Sequence, residues 1–197
     1  MAGRKPRPDA DATRRQMVDA ALATLREEGF AGTTARAVAR RGGFNQALVY
    51  YHFGGLDELL LAALDASSAA RLERYRDAIE SAPSTDELVA RVRELFHEDV
   101  ESGQATVVSE LVGASLARPE LMAEMVARTE PWLELARATA ERVLADSPLR
   151  ELVRPDDVAS ALVAFYLGKN LLARLDPASA HDDALFELAA RLAPLLT

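Results

Sequence analysis

Thr34–Phe53, TARAVARRGGFNQALVYYHF, is the stretch that decides the fold. It reads as two short helices joined by a tight turn. The Thr34 hydroxyl is placed to accept from the orphan amides one turn on, so Thr34 caps the first helix. Ala35–Arg41 continues without a breaker, with Val38 and Ala39 apolar and Arg36, Arg40 and Arg41 cationic. Gly42-Gly43 ends it, because glycine tolerates the left-handed conformation at a helix C′ position. Phe44 supplies an apolar plug and Asn45 a second N-cap. The next helix carries Gln46 through Phe53. Val49 and Phe53 are four apart, share a face and are expected to be buried together. Gln46, Leu48, Tyr50, Tyr51 and His52 then project elsewhere.

A second helix of this shape suits the DNA major groove. Gln46 at its start can pair with adenine, and Leu48 can contact a thymine methyl. The phenols of Tyr50 and Tyr51 and the imidazole of His52 can donate to phosphate oxygens. The alternative is a small helical hairpin whose tyrosines merely pack.

Gly29-Phe30, Thr33-Thr34-Ala35-Arg36, Val38-Ala39, Gly43-Phe44-Asn45, Val49-Tyr50-Tyr51-His52-Phe53 and Leu59-Leu60 together resemble the N-terminal domain of the TetR family of transcriptional repressors. The resemblance covers roughly residues 13 to 62. It implies an all-α fold: a three-helix helix-turn-helix DNA-binding domain followed by a larger helical domain for ligand binding and dimerisation. The expected DNA-contacting residues are Arg14, Thr34, Arg36, Asn45, Gln46, Ala47, Leu48, Tyr50, Tyr51 and His52. Two departures matter. Gly55 and Leu56 stand where the family has a Ser or Asn cap and a phosphate-gripping Lys, and Leu48 replaces a small or hydroxyl residue. The first puts a backbone contact in doubt, and the second points to an unusual operator.

The chain has 197 residues and a net charge of −8. Residues 1–55 hold nine Lys/Arg against five Asp/Glu, and the remainder fourteen against twenty-six. A basic head suits a phosphate-binding module, since counterion release drives much of such affinity. The acidic body reads mainly as solubilising charge. With no cysteine there is no disulfide framework and no thiolate metal site. No apolar run approaches the roughly 18 residues that span a bilayer, and no apolar segment follows the basic start as a secretory signal requires. A cytoplasmic protein without membrane contact is the expectation.

Residues 1–12 are polar and proline-containing, so a disordered arm is expected. Its Arg4, Lys5 and Arg7 are able to reach phosphates or a minor groove, or serve only as a solubilising tail. Thr13 to Gln16 fits a capping box, followed by a stripe of Val18, Ala21, Leu22 and Leu25, with Gly29 closing the helix. The DNA-binding domain is thus drawn at 13–55 and the body at 56–197. A long helix from Leu56 to about Ser81 carries Leu59, Leu60, Ala63, Leu64, Ala66 and Ala70 on one side. In the next helix Leu88, Val92, Leu95, Phe96 and Val100 point inward, Asp99 falls unexpectedly within their arc, and His97 is expected to be solvated. Pro119 opens a helix to about Ala145 whose apolar phase survives Pro131, so one kinked helix is expected there. Pro155 opens a helix to about Leu175 that is apolar nearly all round, and such a helix is buried on two sides. In a chain of this size the second side needs another subunit. A last amphipathic helix carries Leu185, Leu188, Leu192 and Leu196.

The three histidines, His52, His97 and His181, lie on different predicted elements, and no phosphate loop, zinc motif or nucleophile elbow is present. An enzyme is therefore not expected, nor a metal or cofactor. Asp99, Ser115, Thr129, Trp132, Tyr166 and Asn170 are polar or amphipathic on otherwise apolar arcs. As a set they suggest a chamber for an aromatic or lipid-like molecule, with a cationic or hydroxyl group near Asp99. Phe165, Gly168, Leu172, Leu188 and Leu192 are the expected dimer interface. The reading is a homodimeric, ligand-responsive repressor with two partners, a palindromic double-stranded DNA operator and a small-molecule effector of unknown identity. The alternatives are a constitutive or architectural DNA-binding regulator without a ligand, and a dimeric scaffold that no longer binds DNA.

Overall fold

Helices account for all the regular structure in the computed structural model, which describes residues 10–145, 147–176 and 183–195. In chain order they are α1 (Ala10–Gly32), α2 (Ala35–Gly42), α3 (Ala47–Phe53), α4 (Leu56–Glu80), α5 (Thr85–Glu101), α6 (Gln104–Ser115), α7 (Pro119–Leu144), α8 (Pro155–Leu175) and α9 (Ala184–Leu192), with a 3₁₀ turn at Ala193–Leu195. The chain divides into Met1–Ser67 and Ser68–Thr197, and α4 begins in the first unit and ends in the second.

α1 begins at Ala10, inside the stretch expected to be an arm and ahead of the expected Thr13 cap. Gln16 therefore does not close a capping box. Its Nε2 donates instead to the Gly42 carbonyl at 2.7 Å, meeting one of the orphan acceptors at the end of α2. Arg4, Lys5 and Arg7 lie outside the described residues, as do His181 and Leu196. α1 buries Met17, Ala20, Ala21, Thr24 and Leu25, with Val18 and Leu22 at the edge of that stripe. Gly29 takes φ 69°, ψ 178°, which breaks the helical run where expected. The core of the first unit adds Ala37, Val38, Ala39, Val49, Leu59, Leu60, Ala63 and Leu64.

The second unit is a bundle of α5 to α9 and the latter half of α4. α7 packs on α8 and α6, α5 on α9 and α6, and α6 on α8. α5 is capped by Ser84, whose Oγ accepts from Glu87 N at 3.2 Å. α7 is one helix with Pro119 in its first turn and Pro131 inside it. Its buried residues, Leu121, Met125, Ala140 and Leu144, lie on both sides of Pro131.

The α4 stripe differs from expectation. Ala66 and Ala70 are exposed, while Arg71, Tyr75 and Ile79 are buried. At 100° per residue, Leu60, Leu64, Arg71, Tyr75 and Ile79 fall within about 100° of one another, whereas Ala66 and Ala70 fall outside. The helical phase, not side-chain polarity, decides which side turns in. Tyr75 and Ile79 then form a core with Leu88, flanked by Val92, Leu95, Trp132, Leu135 and Val143.

Candidate functional site

The α2–turn–α3 segment is held by contacts that leave one side of α3 outward. Thr34 Oγ1 accepts from Ala37 N at 3.1 Å, with Thr34 itself in extended conformation. The turn needs both glycines for different reasons. Gly43 sits at φ 69°, and a Cβ on Gly42 would fall 2.3 Å from the Phe44 ring and 3.0 Å from Ala20 Cβ. Phe44 thus plugs the turn by lying directly over Gly42. Asn45 Oδ1 accepts from Ala47 N at 2.9 Å, which caps α3 one residue ahead of Gln46.

Val49 is fully buried, and Phe53 is half-buried beneath the Arg14 guanidinium, 4.3 Å above its ring centre. Arg14 also donates to the His52 carbonyl at 2.5 Å, placing a cation at the negative end of α3. The remaining residues of the expected set face out to different degrees. Tyr51 is 81% exposed and Tyr50 60%. Gln46, Ala47, Arg36, Thr34 and Asn45 are exposed, while Leu48 and His52 are half-buried. The His52 ring packs edge-on against Tyr51 at 4.9 Å. Arg40 and Arg41 turn toward α1 instead, Arg41 making two bonds to Glu27 at 2.6 and 2.8 Å and Arg40 reaching Glu28 at 3.4 Å. The Arg41 hydrogen bond holds the Glu27 carboxyl below its ordinary range.

The second unit holds a buried polar cluster. Asp99, 1% exposed, receives Arg71 through Nε at 2.9 Å and Nη2 at 2.6 Å. Tyr75 donates to Asp99 Oδ2 at 3.1 Å and Tyr166 lies 3.3 Å from the same oxygen. Arg71 Nη2 also donates to Tyr166 Oη at 2.5 Å. The guanidinium lies 5.0 Å from the Trp132 ring centre, and Trp132 Nε1 donates to Ser68 Oγ at 2.9 Å. Burial opposes the Arg71 charge, but Tyr166 and Asp99 outweigh it and the pKa rises. Burial, reinforced by Asp99, pushes the Tyr75 phenol far up, and burial does the same to Tyr166, so both hydroxyls remain donors.

Asp99, Trp132 and Tyr166 of the expected ligand set are thus joined through Arg71, which was not in that set. A cationic ligand group at Asp99 is not favoured, because Arg71 already occupies that position. Ser115 is buried and donates to the Val112 carbonyl at 2.8 Å, and Thr129 donates to Met125 O at 3.0 Å. Each meets its need within its own helix. Asn170 is 2% exposed, and neither of its amide atoms has a hydrogen-bond partner among the described residues. An unmet buried polar group costs about 1–3 kcal/mol. Among the described residues no cluster of His, Asp and Glu is arranged to hold a metal ion.

Comparison with known sequences bears on the first unit directly. The family model for bacterial regulatory proteins of the tetR family matches residues 17–63, the helix-turn-helix and the start of α4. The chain's first unit carries the DNA-binding domain of the TetR family. Among curated TetR-like relatives, the HTH-type transcriptional regulator UidR of Escherichia coli K12 is 26% identical over 115 residues. The match covers 58% of this chain and 58% of UidR, so the chain spans about three fifths of the length of that relative. The fold is similar to the fatty acid degradation regulator FadR from Bacillus halodurans, with TM-score 0.75, 14% identity and 96% of each chain covered. It is also similar to FadR from Bacillus subtilis in complex with stearoyl-CoA, with TM-score 0.76, 16% identity, and 90% of this chain and 96% of that one covered. The family comprises transcription regulators, which are not enzymes.

Beyond the TetR-like head, α8 and α9 carry exposed leucines. Leu162, Leu171, Leu172 and Leu175 on α8 and Leu185, Leu188 and Leu192 on α9 are all more than 40% exposed. Ala161, Ala164, Phe165, Gly168, Leu171, Leu172 and Leu175 fall within about 120° of the α8 circumference. A Cβ on Gly168 would meet nothing within 4 Å. Phe165 is shared with the interior, since its ring lies 5.5 Å from Phe186 and 6.2 Å from Phe96. His97, expected to be solvated, instead bridges α5 to the start of α9 through Asp183 at 2.8 Å. No single helix among the described residues is long and apolar enough to cross a membrane.

Proposed function

We propose that this TetR-family regulator is a repressor that binds a palindromic operator as a homodimer in the cytoplasm and is released by a small, largely apolar effector. The observation that carries the DNA part is the outward side of α3: Gln46, Ala47, Tyr50 and Tyr51 stand free of the core while Val49 anchors the helix. Gln46 reads a base, Leu48 contacts a methyl group at the groove edge, and Tyr50, Tyr51 and His52 set the backbone register. Arg36 adds a cation on the exposed side of α2. The leucine faces of α8 and α9 support a dimer, and a two-fold dimer requires a palindromic site with half-sites a helical turn or a multiple apart. The polar cluster among α4, α5, α7 and α8, walled by Trp132 and Tyr166, supports an effector site. The stearoyl-CoA bound by the Bacillus subtilis FadR shows that a body of this fold can hold an acyl ligand.

Selection of bound sequences from random DNA tests the assignment. Gln46→Ala is expected to cost about 1–3 kcal/mol and to relax preference at one base position. An unchanged consensus and affinity in that variant would remove Gln46 from base reading. Release of the operator by an extract of the host cell tests the effector part.

A further inference from the structure

Two side chains in the second unit hold buried polar atoms with unmet hydrogen-bonding capacity. Asn170 on α8 has neither Nδ2 nor Oδ1 paired, and Gln104 at the start of α6 has Oε1 unpaired among the described residues. The helix directions place both at the same end of the bundle. α4 and α5 are antiparallel, since Arg71 meets Asp99 while Ser81 meets Arg91. α7 is parallel to α4, since Trp132 meets Ser68 and Arg142 meets Ile79. α8 returns against α7, with Asp156 on Arg137, and so runs parallel to α5. Asp99 lies against Tyr166; Asn170 follows one helical turn further along α8, and Gln104 opens α6 just past the turn at Gly103 that ends α5. The Asn170 amide also lies beside the Tyr166 phenol, whose pKa it lowers against burial.

Buried polar groups in native proteins are nearly always paired, so the Asn170 amide and the Gln104 Oε1, unpaired at one end of one bundle, call for a partner of defined chemistry. Arg71 and Asp99 do not supply a charge to that partner, because each is closed by the other and by the Tyr75 and Tyr166 hydroxyls. We propose that Asn170 and Gln104 hold the polar end of the effector, and that this end is an uncharged primary amide. The assignment rests on the ligand-responsive reading above. Asn170 offers one donor group and one acceptor, and Gln104 adds an acceptor. A primary amide answers them with one carbonyl and two N–H bonds. A carboxylate presents acceptors only and leaves both protein oxygens facing it. An ammonium presents donors only and leaves Asn170 Nδ2 unmet. Either would bring a charge that the closed ion pair does not balance.

The test uses the full chain and four probes with eight-carbon chains: octanamide, octanoate, octylammonium and octanol. Trp132 is the only tryptophan, so its fluorescence reports binding beside the cluster, with the thermal midpoint as a second readout. Octanamide is expected to bind at least tenfold tighter than the other three. Asn170→Leu and Gln104→Leu should each weaken octanamide tenfold or more, and Asn170→Leu should raise the thermal midpoint of the unliganded protein by removing the unmet amide. If Asn170→Leu fails to fold, Asn170→Asp, which offers acceptors only, carries the same expectation for octanamide. Octanoate or octylammonium binding as tightly as octanamide would overturn the proposal, as would octanamide binding unchanged in both Asn170 and Gln104 variants. If none of the four probes binds, the amide site falls. The ligand-responsive reading then stands only if host-cell extract still releases operator DNA, and falls with it if the extract does nothing.

Discussion

Asp99→Asn is the substitution that weighs most on the second unit. It keeps the shape of the side chain and removes its charge, leaving Arg71 buried opposite a neutral amide. The two groups meet at 2.6 and 2.9 Å. Opposite charges about 4 Å apart attract by about 4 kcal/mol at an effective dielectric of 20, and losing one member of a buried pair costs about 3–5 kcal/mol. For a chain of this size each kcal/mol moves the thermal midpoint by about 2–4 °C, so the variant should melt roughly 10 °C below wild type. The double variant Arg71→Met, Asp99→Leu removes both charges. It leaves the Tyr75 and Tyr166 hydroxyls to find partners, at about 1–3 kcal/mol, and should therefore be more stable than Asp99→Asn. Urea titrations of wild type, Arg71→Met, Asp99→Leu and the double variant, followed by far-ultraviolet circular dichroism and by Trp132 fluorescence, close a double-mutant cycle that measures the coupling. An Asp99→Asn protein within 1 kcal/mol of wild type, or a double variant that loses the sum of its singles, would refute the account of the cluster.

Three further outcomes are expected. Leu172→Glu puts a charge on the exposed α8 face and should convert a sedimenting dimer to monomer or aggregate; a wild type that is monomeric at micromolar concentration would dismiss the interface. Arg14→Gln should weaken operator binding with the slope of affinity against salt unchanged, because Arg14 is spent on the His52 carbonyl and Phe53 ring; a slope reduced by about one charge would make Arg14 a phosphate contact instead. Gly43→Ala forces a Cβ into φ 69° and should cost about 1–2 kcal/mol by denaturant titration, and an unchanged midpoint would mean that the turn relaxes to a right-handed conformation.

The head was legible because its signals are local. Thr34 and Asn45 make their capping bonds within three residues, and Gly42-Gly43 marks the turn by backbone chemistry alone. The long helices of the body were legible by phase, and α7 kept its arc through Pro131. The charged interior was not, since Arg71 and Asp99 lie on different helices and neither reads as a core residue by composition. Asp99 stood out on an apolar arc, but its partner was hidden because α4 was divided by polarity, which favoured Ala66 and Ala70 over Arg71 and Tyr75. A strict phase reading from Leu60 and Leu64 would have turned Arg71 inward. Gln16 and His97 were misread for a related reason: each meets a group far along the chain, the Gly42 carbonyl and Asp183, that no local pattern announces.

Glu27 and Glu28 set a limit on the head's attraction for nucleic acid, because they occupy Arg41 and Arg40 on the side of α2 that faces α1. Glutamate and lysine codons differ at a single nucleotide. A change of that size at Glu27 would leave Arg41 to Glu28 alone, 3.6 Å away, and add a cation beside it, raising the charge the head presents without touching the exposed side of α3.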